Sequence, residues 1–323
     1  MGTFITGASG FVGLALAEHL LARGETVVGF DRSAPPARAL RTFAGLPGRF
    51  AMEQGDVGDT AALAAAMRRH APARLVTLAA ITAGPQRERA TPQAVFEVNV
   101  GGVLAALAAA ADCGVGRVVH VSSGSVYGAS GEGGDALQED RTPLRPEGLY
   151  GISKQAAEAA ARRFADLAGL DLVVGRLGTC FGPWEADSGV RDTPIAPLQV
   201  LRLAARGEPA LLPRPHRRDW LYVRDAAAAI AALCDQPRCP HGTYNLGAGF
   251  VWTLAQWCGQ VLERHPGFRW RIAGPGEAAN VDCYAPYDRA VLDVARLGQD
   301  TGFVPRFPLA AAARDFHDWL QHA

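Results

Sequence analysis

The sequence predicts an α/β fold: a doubly wound parallel sheet with a smaller, partly discontinuous C-terminal lobe. Three observations lead there. Short apolar runs alternate with helical segments through the first half of the chain, the mark of βαβ crossovers around a sheet covered on both faces. A glycine turn, Gly7-Ala8-Ser9-Gly10-Phe11-Val12-Gly13, lies directly between the first strand and the first helix. After Gly178 the alternation loosens into proline-marked loops, and the 323 residues leave room for a second, smaller lobe beside the large domain.

The elements follow in order. Strands are expected at Thr3–Thr6, Thr26–Phe30, Leu75–Ala79, Arg117–Ser122 and Leu172–Arg176, with a further one just before Asp56. Helices are expected at Phe11–Arg23, Thr60–His70, Val95–Asp112 and Tyr150–Leu167. Beyond the loops at Gly182-Pro183-Trp184, Pro194, Pro197 and Pro209 to Pro215, Trp220–Val223 and Thr243–Leu246 read as strands returning to the sheet, with a helix at Asp225–Leu233 between them. The division that results is 1–178 with 220–247 for the sheet domain, and 179–219 with 248–323 for the smaller lobe.

Composition excludes several classes. Charged residues make up 20% and the formal net charge is zero, so bulk electrostatics gives no support to a nucleic-acid partner. No uninterrupted apolar run reaches the roughly 18–20 residues of a membrane span, and no leader is expected before the first strand. Six cysteines without CxxC or paired metal spacing fit unpaired thiols in a reducing, cytoplasmic compartment. His120, in a strand, reads as a core residue, and His216 as a loop residue; neither has a second ligand at metal spacing, so no metal is expected.

The glycine turn has the placement of a Rossmann dinucleotide site. Gly7 permits the tight turn, Gly10 lets backbone amides approach a pyrophosphate, and Gly13 lets the helix pack on the strand. Ser9, Phe11 and Val12 accompany them at a helix N-terminus whose free N–H groups suit phosphate. Asp31, after the second strand, is placed to bind the ribose hydroxyls, which favours NAD over NADP; the adjacent Arg32 leaves a 2′-phosphate conceivable. Asp56 and Val57, after the third strand, are candidates for the adenine.

Tyr150-Gly-Ile-Ser-Lys154 places a phenol and an ammonium on one face of a helix start. A free phenol titrates near 10; a neighbouring cation lowers the cost of its phenolate, so Tyr150 can exchange a proton with a substrate hydroxyl. Such a pair alone is a common solvated helix face. Its company is Ser122-Ser123-Gly124-Ser125-Val126-Tyr127-Gly128, at the C-terminal end of a strand where open parallel sheets bind ligands. A serine there can share the reacting oxygen with Tyr150.

The ordered set Thr6–Gly13, Asp31, Leu78-Ala79-Ala80, Asn99-Val-Gly-Gly102, SSGSVYG, YGISK, Arg176–Pro183, RDWLYVRD (Arg218–Asp225) and Tyr244–Gly247 resembles the extended short-chain dehydrogenase/reductase family, within it the NAD-dependent epimerase/dehydratase group. The resemblance implies Ser123 as the hydroxyl partner of Tyr150, cofactor contacts at Leu78, Ala79, Ala80 and Asn99 beside those above, and Lys154 on the nicotinamide ribose. It also implies a homodimer, helices around Val100–Asp112 and Gly151–Leu167 pairing as a four-helix bundle.

Departures from that pattern bear on the reaction. Sugar-nucleotide dehydratases of the group carry an Asp-Glu pair just after the catalytic hydroxyl, where this chain has Gly124 and Ser125. Thr179 stands where relatives often have a diphosphate-binding Asn, and Leu211 to Asp219 replaces a glycine-rich turn. Ser123, Gly124, Ser125, Thr179, Trp184 and Arg218 are the candidate substrate residues. Arg214 and Arg217, Glu185, and Arg87 with Arg89 are further possibilities as anion binders or cleft lining. The expectation is an NAD-dependent epimerase-type oxidoreductase for a sugar or nucleotide sugar. The alternatives are an NAD-dependent dehydrogenase of a small hydroxy acid, amino alcohol or sugar acid, and a non-catalytic NAD-binding regulator.

Overall fold

The computed structural model describes residues 2–186, 193–283 and 287–321; Met1 and the stretches 187–192, 284–286 and 322–323 of the expected second lobe lie outside them. Its centre is a seven-stranded, wholly parallel sheet. Six strands are β1 (Gly2–Thr6), β2 (Thr26–Asp31), β3 (Arg49–Gln54), β4 (Arg74–Thr77), β5 (Arg117–Ser123) and β6 (Leu172–Leu177), and the seventh is Thr243–Leu246. Their order is β3-β2-β1-β4-β5-β6 followed by Thr243–Leu246. The order reverses between β1 and β4, which opens a crevice at the C-terminal strand ends.

The strands other than edge strand β3 carry β-branched and aromatic residues that are buried on both faces, as a double-covered parallel sheet requires. β5, Arg-Val-Val-His-Val-Ser-Ser, is buried along its whole length. One apolar cluster gathers Leu14, Leu16, Leu20, Val119, Val121, Ile230 and Leu233 on one face; another gathers Phe4, Phe30, Met67, Leu107, Val118 and Ala157 on the other. Helix Thr60–His70 begins with the Asp59 carboxylate accepting the Ala62 N–H at 2.9 Å, an N-cap of the usual kind. Burial within these clusters dominates the stability of the domain, at roughly 25 cal/mol per Å² of apolar surface removed from water.

Two expectations need correction. Trp220–Tyr222 does not return to the central sheet; it pairs in parallel with Thr179–Phe181, and its rings join a separate core with Phe181, Leu198, Trp252 and Trp257. An apolar triplet has the same sequence signature in either sheet, and aromatic bulk drew this one to the second core. The expected helix at Val95–Asp112 is compound: Pro92–Phe96, a π-helical turn at Glu97–Gly101, then Gly102–Asp112. Such turns often mark functional positions, and this one contains Asn99. Taken together, Pro92–Asp112 is 21 residues long and apolar enough, by length and composition alone, to cross a membrane. Half of its apolar window is buried in the domain, the condition of a core helix.

Candidate active site

At the C-terminal edge of the sheet lies a cleft of about 380 Å³. Its walls include Gly7, Gly10 to Gly13, Leu78, Ala80, Ser123, Tyr150, Lys154 and Arg218. Segments more than 200 residues apart in sequence thus meet at one crevice, because parallel crossovers bring every strand's C-terminal end to the same edge.

The glycine turn is closed by backbone bonds: Gly7 N–H donates to Phe30 O at 2.9 Å and Gly10 N–H to Gly7 O at 3.1 Å. Gly7 has φ +72°, and a Cβ there would stand 2.6 Å from the Ala79 nitrogen. A Cβ on Gly13 would stand 2.2 Å from Gly7 O, so the helix at Phe11–Ala22 sits against the turn as only glycine allows. Gly10 caps that helix and offers no side chain to its N-terminal amides, the form a phosphate cradle takes. Beside it, the Asp31 carboxylate accepts Ser9 N–H through Oδ2 and Ser33 N–H through Oδ1, each at 3.1 Å. The Ser9 hydroxyl in turn donates to Ser33 O at 2.6 Å. The carboxylate is thereby fixed at the end of β2. The Arg32 guanidinium lies 3.9 Å from Asp56, its charge already opposed. These residues fit a dinucleotide: a cradle that a Cβ would fill, an open helix N-terminus and an anchored carboxylate one strand away.

At the other end of the crevice, β5 delivers Ser123, which caps a short 3₁₀ turn by accepting Ser125 N–H at 3.1 Å. The helix Leu149–Ala168 presents Tyr150 in its first turn and Lys154 one turn later. Lys154 is 3% exposed, and its Nζ donates to Val121 O at 2.9 Å. Burial lowers its titration to about 8, against the nearby Glu158 carboxylate, which acts to raise it. Glu158 itself accepts the Ser122 hydroxyl at 2.6 Å and pairs with Arg176 at 2.9 Å. Arg176 continues to the Tyr127 hydroxyl, which donates to Asn245. The ammonium thus lies beside a hydrogen-bonded network of buried polar groups, whose Glu158 carboxylate acts on it through charge.

Several candidates are placed elsewhere. Asn99 is fully buried; its Oδ1 accepts Ile81 N–H at 2.8 Å, and its Nδ2 donates to Ile81 O and Ser153 Oγ. It ties the segment after Ala80 to the Tyr150 helix rather than facing the cleft. Trp184 turns away from the cleft through a left-handed φ of +72°. Its Nε1 donates to Glu18 at 2.6 Å, and its ring packs edge-on to Trp319, so an indole that could have lined the cleft instead staples Phe11–Ala22 to the C-terminal helix. Val57 is buried, and a Cβ on Gly102 would stand 2.7 Å from it. Arg87 and Arg89 do not line the cleft, whereas Gly124, Ser125, Thr179 and Glu185 do.

Arg218 is 8% exposed and lies over the Trp220 ring at 5.9 Å. Its Nη1 reaches Thr179 Oγ1 at 3.4 Å, and its Nε is buried without a partner. Burial first, then the charges of Arg289 and Arg214, bring it down to about 10. The neighbouring Asp219 does not compensate it directly: its oxygens accept Ala248 N–H and Leu292 N–H, and burial raises it to about 6. Arg289 lines the same cleft, with its Nε also buried and unpartnered. Among the described residues neither arginine has a carboxylate within ion-pair distance, an arrangement that calls for an anionic ligand. Sequence reasoning missed Arg289, which sits in the C-terminal segment outside any motif.

Comparison with known proteins agrees with this geometry. A family model described as "NAD dependent epimerase/dehydratase family" matches residues 3–247. A dTDP-glucose 4,6-dehydratase of Xanthomonas campestris pv. campestris is 28% identical over 333 residues, spanning 98% of this chain and 92% of the relative. Among solved structures, the UDP-glucose 4-epimerase of Thermus thermophilus in complex with NAD is 27% identical, with a TM-score of 0.80 and full coverage of both chains. A dTDP-glucose 4,6-dehydratase of Streptomyces venezuelae, with NAD bound, is 26% identical with a TM-score of 0.79, covering 100% of this chain and 97% of that one. The chain therefore belongs to the NAD-dependent epimerase/dehydratase family, an enzyme whose cofactor is NAD.

Proposed function

We propose that this enzyme epimerises a nucleotide sugar. The observation that carries the reading is the Arg218–Arg289 pair in the wall of the cleft that also holds Ser123, Tyr150 and Lys154. A buried guanidinium (Arg218) and a half-buried one (Arg289), both without carboxylates among the described residues, suit a diphosphate, whose oxygens pair with arginine in a fork geometry. A small hydroxy acid would leave at least one of them uncompensated. The names of the similar proteins, a UDP-glucose epimerase and dTDP-glucose dehydratases, support a nucleoside diphosphate carrier.

In this reading the glycine turn and Asp31 would hold the dinucleotide, which when bound would supply a reversible hydride acceptor for the sugar's carbinol carbon. Tyr150 removes the hydroxyl proton; the Lys154 ammonium stabilises the phenolate that makes this possible; Ser123 shares the reacting oxygen. Return of that hydride to the opposite face would invert the centre with no net redox change. Water loss would need an acid and a base beside Ser123, and Gly124 and Ser125 supply neither, although relatives named as dehydratases keep that outcome in the test. The division into a sheet domain, 1–178 with 220–247, and a substrate lobe, 179–219 with 248–323, belongs to the same proposal. So does a homodimer through the helices Gly102–Asp112 and Leu149–Ala168, supported by the exposed Phe96 and Ile152 beside and on them.

The test offers UDP-glucose, UDP-glucuronic acid and dTDP-glucose to the enzyme with NAD. Expected is a product of unchanged mass and altered stereochemistry, without accumulation of NADH. Arg218→Gln is expected to raise KM roughly tenfold or more at unchanged NAD affinity. A product lighter by one water, net NADH formation, or equal KM in the variant would overturn the epimerase reading.

A further inference from the structure

The segment after Ala80 carries Arg87 and Arg89, yet the residue between them makes the telling contact. Glu88, on the short helix Pro85–Ala90, accepts the backbone N–H of Leu149 at 2.6 Å through Oε1. That amide is the first of the 20-residue helix that carries Tyr150 and Lys154. The helix's own N-cap is Gly148, which has no side chain to satisfy the amides of the first turn. A Cβ on Gly148 would stand 2.7 Å from the same Glu88 oxygen. The carboxylate thus occupies the space of an ordinary capping side chain, but it comes from 61 residues away.

A carboxylate at this place acts twice, accepting an otherwise orphan N–H and opposing the positive end of the helix dipole. Tyr150 is the next residue, inside the turn that would fray without the cap. The start of the same segment is tied down independently, since Asn99 holds both Ile81 and Ser153 of the Tyr150 helix. The phenol's position in the cleft therefore depends on a loop that is remote in sequence.

We propose that Glu88 is a positioning residue for Tyr150, capping the catalytic helix from the 81–91 loop and fixing its first turn. The kinetic part of the test rests on the nucleotide-sugar reading; the exchange part does not. The full-length protein with NAD is compared as wild type, Glu88→Ala and Glu88→Gln, the amide variant keeping an acceptor oxygen. Hydrogen exchange at the Leu149 amide is expected to rise about fivefold in Glu88→Ala, the factor that loss of a cap represents, and to stay close to wild type in Glu88→Gln. With UDP-glucose, kcat is expected to fall about fivefold in Glu88→Ala at unchanged KM and NAD affinity, and to recover in Glu88→Gln. Unchanged exchange in Glu88→Ala overturns the cap. Faster exchange with unchanged kcat, or a loss confined to KM, overturns the positioning role. If wild type turns over no nucleotide sugar, the proposed function fails and the exchange result alone decides the cap.

Discussion

At the scale of single residues, Lys154 is where burial and charge matter most directly. Its ordinary titration lies at 10.5 and burial lowers it to about 8, so the ammonium, which in the proposed mechanism stabilises a Tyr150 phenolate, is present below about 8 and lost above it. Turnover is expected to fall as pH passes that value, and Glu158→Gln is expected to move the falling limb to lower pH, because the carboxylate favours the cation. A kcat–pH profile of both proteins checks this; an alkaline limb that stays in place in the variant would refute it. His216 behaves in the opposite sense for stability. Its ring is buried with neither nitrogen hydrogen-bonded, Nδ1 lying 3.9 Å from the Asp288 carboxylate, and burial, then Arg218 and Arg214, lower it to about 3. The unfolded chain binds the proton below 6.5 and the folded one only near 3, so this histidine withdraws stability as pH falls across that window. His216→Asn, which tolerates the left-handed φ of +53°, is expected to lose less melting temperature than wild type as pH falls from about 6.5 to about 4.5. Gly124 makes a third case. A Cβ there meets only ordinary contacts, 3.5 Å from Leu177 O and 3.7 Å from Leu292. The backbone therefore accepts a Cβ at 124, and mass spectrometry is expected to find a product lighter by one water from the double variant Gly124→Asp with Ser125→Glu.

At the scale of elements, the glycine turn and the first helix form one unit. Gly13→Ala would drive a methyl to 2.2 Å from Gly7 O, which separates helix from turn. NAD affinity is expected to fall at least about tenfold, the consequence of moving a phosphate-binding helix end, and calorimetric titration measures it; full affinity would show that the turn is not the cradle. The sequence marked this unit clearly because glycine spacing, strand and helix all point the same way. It marked Trp220–Tyr222 poorly. Strand propensity says that a segment extends, not which neighbour it pairs with, and Thr179–Phe181 competed successfully for it. The π-helical turn at Glu97–Gly101 leaves no local pattern either; it holds Asn99, whose side chain reaches across to Ile81 and Ser153.

At the scale of the whole molecule, two cores stand side by side. The apolar clusters flanking the sheet fix the nucleotide crevice. The aromatic cluster around Phe181, Trp220, Trp252 and Trp257 fixes the lobe that carries Arg218. Phe96 and Ile152 remain 36% and 38% exposed, and the proposed homodimer would cover them through the adjacent helices. Ile152→Glu is expected to halve the particle mass in light scattering while leaving the circular dichroism spectrum intact; an unchanged mass would place the dimer contact elsewhere or remove it.

The sequence by itself determined the doubly wound fold and singled out the glycine turn, Asp31, and the Ser123, Tyr150 and Lys154 set as the candidate site, because each is a local pattern whose spacing is its physics. Tertiary structure decided that Asn99 and Trp184 brace the domain instead of lining the cleft, that Arg289 joins Arg218 there, and that Glu88 caps the Tyr150 helix. These are contacts between segments 54 to 166 residues apart, or charges that matter only once burial removes their solvent. No local pattern encodes either kind, since both arise when the strand ends gather at one edge of the sheet.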